Sequence, residues 1–162
     1  MVEDLITNES IISIIGEGSA TTYTPEFGWI GSLESLEAGQ GYWFIADGAT
    51  QLNYDCPEIS NQSREYVNTQ PKDYIQSTQQ AFYFFKDIAG IEEGDEIMAY
   101  SGDVLVGSRM WNGSYTDVPA MGKDFQSETQ GYMSESQIPT FKLVKKNGEA
   151  LVLEGDIPGW SS

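Results

Sequence analysis

Apolar positions in this chain fall in short runs separated by Gly-Asp, Asp-Gly or Asn-Gly pairs, the pattern of antiparallel strands joined by tight turns. The stretch AFYFFKDIAGIEEGDEIMAYSGDVLVGSRMW (residues 81–111) holds three such runs, and the rest of the chain is expected to organise around it. Its Gly102-Asp103 pair predicts a two-residue hairpin loop, because glycine adopts positive φ without steric cost. That loop places Tyr100 opposite Leu105, Ala99 opposite Val106, Ile97 opposite Ser108 and Glu96 opposite Arg109. Both faces of the hairpin are then largely apolar, so it is expected beneath a second layer. The run at residues 81–85 is aromatic on both faces and reads as a buried strand.

In the first half, residues 2–7 and 32–37 predict short helical turns, the second with Ser32 as cap and Leu33 and Leu36 inward. Residues 11–15 (IISII) are β-branched and end at Gly16-Glu17-Gly18, a strand running into a loop. Residues 27–30 predict a short strand. Residues 41–46 predict another, with a hairpin partner at 50–54 across Asp47-Gly48. Segment 55–78 is polar and aperiodic, and reads as a linker or long loop between an N-terminal part (1–54) and a C-terminal part (79–162). Residues 112–138 read as a long excursion rich in Gly, Ser, Asp and Thr. The clearest hairpin is 141–145 and 150–153 around Asn147-Gly148. The fold class expected is mainly β, an antiparallel sandwich-like arrangement with short helices in the N-terminal half. The two parts are expected either as small units or as sharers of one core.

Composition narrows the functional classes. Hydrophobic residues make up 40% and aromatics 12%, enough for an ordered core, and no apolar run has the length of a membrane span. Eight basic residues against 25 acidic give a net charge of −17, which argues against nucleic acid and anionic membrane surfaces as partners. There is no histidine and one cysteine, Cys56, so internal disulfides and His/Cys zinc sites are excluded. Cys56 reads as a small, partly buried residue at a strand end.

Candidate chemistry is thin. Gly-x-Gly at residues 16–18 lacks the third glycine and the helix of a dinucleotide fingerprint. No nucleophile stands with a base, Gly-x-Ser-x-Gly is missing, and no two carboxylates are marked as partners, so no enzymatic activity is expected. Calcium is the secondary expectation, with Asp95, Asp103, Asp117 and Asp124 as oxygen ligands and Glu128 nearby, although no Asp-x-Asp-x-Asp-Gly loop is present. Trp111, Tyr115 and Tyr132 flank the long excursion and are the candidate platform for a sugar ring or peptide side chain. Against this stands their use as plugs at the ends of the core.

The segments GWIGSLESLEAGQGYWFIADG (28–48), GDEIMAYSGDVLVGSRMW (94–111), VPAMG (118–122) and GYMSESQIPTFKL (131–143) resemble β-rich modules of the Gly-Tyr-Trp and "GD-I-AF-GD-VG" type. Such modules recur in large secreted or surface proteins of marine bacteria. The resemblance implies a structural or adhesive module of a larger extracellular assembly, with a protein or glycan surface ligand and no catalytic residues. The alternative is a carbohydrate-binding module using loop aromatics, with calcium assisting. Modules of this type commonly begin with an apolar strand ahead of residues 2–7. Its absence here implies a fragment, or a sheet short of one strand. Residues 11–15 are then expected as an exposed edge open to strand donation or homo-oligomerisation.

Overall fold

The computed structural model describes residues 10–37, 39–50 and 73–162. The expected helical turn at 2–7, Cys56, nearly all of the hairpin partner at 50–54 and most of the linker lie outside those residues.

Ten strands are described, and every strand pairing is antiparallel. In the N-terminal part, β1 (Ile11–Gly16) turns at Glu17-Gly18 into β2 (Ser19–Thr24), followed by β3 (Gly28–Gly31) and β4 (Trp43–Ala46). Their order in the sheet is β3-β2-β1-β4. The IISII run is therefore an interior strand, paired on both sides, and the expected exposed edge at residues 11–15 is corrected. The sequence TTYT, which carries no apolar alternation, supplies the strand that covers it. β-Branched threonines suit a pleat, and the Ser13 and Thr22 hydroxyls hydrogen-bond across it at 2.7 Å.

No helix forms at residues 32–37. The Ser32 hydroxyl donates to Asp117 at 2.9 Å rather than capping a turn, and Leu33 N–H donates to the Ala20 carbonyl at 3.1 Å. Leu33 and Leu36 still face inward, packing with Ile11 and Ile14 from a segment without regular secondary structure. Among the described residues this core has three buried apolar residues, against twelve in the C-terminal cluster.

In the C-terminal part, β6 (Glu96–Ser101) and β7 (Val104–Met110) form the expected hairpin, with Gly102 at φ 59° in the turn. Their register shifts at a bulge between Ala99 and Tyr100. Tyr100 opposes Leu105 as expected, but Ala99 opposes Gly107, Ile97 opposes Arg109 and Glu96 opposes Met110. Val106 is the extra residue, and the expected Glu96–Arg109 pairing is corrected. Because directly opposed residues share a face, the bulge turns Gly107 and Arg109 to the buried side with Ala99 and Ile97. β9 (Thr140–Val144) and β10 (Ala150–Val152) complete a sheet of order β10-β9-β6-β7, the second hairpin lying where the Asn147-Gly148 signal put it.

The long excursion is largely structure. Thr116–Met121 forms β8, all six residues buried, paired with β5 (Gln80–Phe85). A short 3-10 turn follows at Ser127–Thr129, and Met121, Tyr132 and Met133 enter the core. β8 packs between β5 and β7 and also touches β2 and β3 of the first sheet. It joins the two parts. Trp160 then covers it from the chain's last residues, its indole N–H donating to the Ala120 carbonyl at 2.8 Å.

Candidate functional site

A cleft of about 1050 Å³ opens where β5 passes the outer face of the N-terminal sheet. Side-chain alternation builds it. Ala81, Tyr83 and Phe85 pack on the C-terminal core, and the Tyr83 and Phe85 rings meet Phe141 edge-on at 5.1 and 4.9 Å. Phe82 and Phe84 point the other way. On the N-terminal sheet, Ile14 and Phe44 serve the small core, so Ser13, Ile15 and Ile45 of the opposite face line the cleft. Ile45 is 45% exposed and Trp43, on the same strand, is 57% exposed. The second wall comes from the chain after β10, including Leu153 and Ile157, with fully buried Phe141 beneath it.

Polar groups make up the smaller part of the lining. Gln80 is held by its amide, which donates to the Gly16 carbonyl at 3.2 Å. Tyr83 donates weakly to the Pro158 carbonyl at 3.3 Å, and burial pushes its phenol up to about 12. Lys86, Asp87, Glu154 and Asp156 supply the charge. The arrangement offers apolar contact and backbone hydrogen bonding.

The residues expected to bind a ligand are not brought together on one surface. Tyr132 is buried, 6% exposed, and its hydroxyl accepts from Ile75 N–H at 2.7 Å. Trp111 is half-buried against the C-terminal core. Tyr115 stands apart with φ 66°, an uncommon conformation for a bulky residue, and its ring lies 4.9 Å from that of half-exposed Phe27. Lys86 Nζ sits 5.3 Å from the Phe27 ring centre.

The four aspartates singled out for calcium are dispersed, and among the described residues no three His, Cys, Asp or Glu side chains are grouped to hold a metal. Asp103 lies exposed in the β6–β7 turn. Asp95 is buried and accepts from Lys145 Nζ at 2.9 Å and from Glu92 and Lys146 N–H. The Lys145 hydrogen bond holds its carboxyl below the usual carboxylate range. Asp124 accepts from Gln126 N–H at 2.9 Å, Thr129 hydroxyl at 2.8 Å and Thr78 N–H at 3.2 Å, so it organises its own loop. Asp117 is fully buried. Its Oδ2 takes Arg109 at 3.1 Å, Ser32 at 2.9 Å and Ala20 N–H at 3.3 Å, joining β7 and β8 to the N-terminal sheet. Arg109 also donates to the Asp117 and Gly18 carbonyls.

A pH consequence follows from Asp124. The Gln126 N–H bond, with the Thr129 hydroxyl, holds its carboxyl far below the ordinary value of about 4. A folded-state pKa below the unfolded one stabilises the fold above about pH 4, and that contribution is lost as pH falls further. Asp124→Asn is therefore expected to lower stability at pH 7 and to shrink the gap from wild type between pH 4 and 2. Denaturant melts across that range check it, and parallel curves would contradict it.

Sequence reasoning passes over the cleft residues Ile45, Phe82 and Phe84. The signal is present in an aromatic run with large rings on both faces, a pattern that equally fits burial between two layers. Among the described residues, no helix is long and apolar enough to cross a membrane. Comparison with protein families, curated proteins and solved structures yields no match.

Proposed function

We propose that this chain is a non-enzymatic structural or adhesive module of a larger extracellular or surface assembly, sandwich-like in its layering, which holds a partner in the cleft along β5. The observation that carries the reading is the cleft itself: large, lined mostly by apolar surface and floored by an aromatic strand. A net charge of −17 and the resemblance to modules of secreted surface proteins support the setting. Amide chemical-shift mapping against glycan and peptide libraries tests it. Responses are expected to centre on β5 and Ile45 and to disappear in Ile45→Arg, a substitution its exposure allows the fold to tolerate. Responses confined to other surfaces, or none from either library, would refute the reading.

A second reading, carbohydrate binding through loop aromatics, is favoured by the Phe27–Tyr115 pair with Lys86 beside it. It expects glycan-induced shifts at Phe27 and Tyr115 that vanish in Phe27→Ala.

A further inference from the structure

We propose that the cleft's partner is an extended, basic segment of another polypeptide, which adds as a strand to the free edge of β5. The inference rests on the cleft reading above and specifies its occupant.

The edge is defined by hydrogen-bond parity. Gly122 N–H donates to the Gln79 carbonyl at 2.7 Å, and Tyr115 N–H to the Phe85 carbonyl at 2.8 Å, so the odd-numbered residues of β5 turn their backbone groups toward β8. In an antiparallel ladder the alternate residues face away. Gln80, Phe82 and Phe84 therefore present N–H and C=O groups on the opposite edge. Pro119, opposite Phe82, agrees with this count, because a residue without N–H fits where no donor points at β5. β5 pairs with β8 and no other strand among those described.

The cleft runs along that edge. Consecutive β5 residues of both alternating sets line it, as expected when the open side of a strand forms the floor. An added strand would direct alternate side chains to two apolar walls, Ile15 and Ile45 on one side and Leu153 and Ile157 on the other. β5 is about 20 Å long at the usual rise per residue, matching a segment of about six residues.

Charge selects among occupants. Asp87, Glu154 and Asp156 outnumber Lys86 at the cleft, within a chain of net charge −17. A second copy would bring the same excess of negative charge, whereas lysines flanking an apolar core would complement it.

The test uses the full chain and an acetylated, amidated Lys-Lys-Val-Ile-Val-Ile-Val-Lys-Lys peptide, apolar on both faces at its centre and basic at its ends. Four forms are compared: the parent, two with alternate amides N-methylated, one for each edge, and one with Glu in place of Lys. The parent is expected to bind with slowed hydrogen exchange at the Gln80, Phe82 and Phe84 amides. N-methylation of the pairing edge and the Glu replacement are each expected to weaken it ~10-fold or more. Methylation without effect on either edge overturns strand addition, although cleft shifts would still uphold a cleft-binding module. Equal binding of the acidic peptide overturns the charge argument. Glycan shifts in the cleft without peptide shifts overturn the inference and leave the cleft reading standing. Protection of the same three amides by self-association without peptide would assign the edge to a second copy instead.

Discussion

Replacing Gly107 with alanine is expected to lower the melting temperature by about 6–12 °C, the consequence of about 3 kcal/mol in a domain of this size. A Cβ at this position would overlap the Pro119 carbonyl oxygen and lie 2.7 Å from its carbon, both backbone atoms. No rotamer change relieves such a contact; β7 and β8 must move apart. Their separation would open the fully buried layer of Val106 and Val118 between the two sheets. Gly102, at the tip of the same hairpin, provides the comparison. A methyl group added there would meet nothing within 4 Å, and only the positive φ of 59° opposes substitution. Thermal melts of Gly107→Ala and Gly102→Ala decide the matter. A larger loss at Gly102 would show that the close approach of β7 to β8 does not limit stability.

Asp117→Ala is expected to cost about 3 kcal/mol and to loosen the N-terminal sheet ahead of global unfolding. Removing one partner of a buried ion pair leaves the other with its desolvation uncompensated, typically about 3–5 kcal/mol. Here the lower end applies, because Arg109 keeps 22% of its side chain exposed and recovers part of its hydration. The substitution also orphans the Ala20 N–H and the Ser32 hydroxyl, both of which use Oδ2. These bonds and the contacts of β2 and β3 with β8 tie the N-terminal sheet to the C-terminal part. Hydrogen exchange distinguishes the outcome. Amides of β1 to β3 should exchange faster in the variant while those of β6 and β9 change little, and uniform acceleration across all strands would contradict a local seam. Asp117→Asn, which retains an acceptor but no charge, should lie between the two proteins.

Both effects concern contacts that no inspection of neighbouring residues in the chain reveals. Gly107 and Arg109 face β8 only because Val106 is extruded, and an unbroken ladder counted from the Gly102-Asp103 turn puts each on the wrong side. β8 reads as loop from its sequence because TDVPAM contains an aspartate and a proline and lacks alternation. It lacks alternation because it is buried on both faces, and its aspartate is tolerated because Arg109 of the adjacent β7 neutralises it. The helix expected at 32–37 rests on Leu33 and Leu36 being three apart, a spacing that irregular chain also brings inward here.

What the amino-acid order determined by itself was local. Apolar runs set most of the strands, and Gly102-Asp103 and Asn147-Gly148 set two hairpins, because pleat and turn are properties of a few adjacent residues. Charge and the absence of histidine limited the chemistry in the same direct way. Partnership was decided by the tertiary structure. It made residues 11–15 interior, drew Asp117 and Arg109 into a seam, and, among the described residues, left one edge of β5 without a paired strand beside a cleft. Which strand lies next to which depends on contacts between residues far apart in the chain, and these come into being only when the sheets pack.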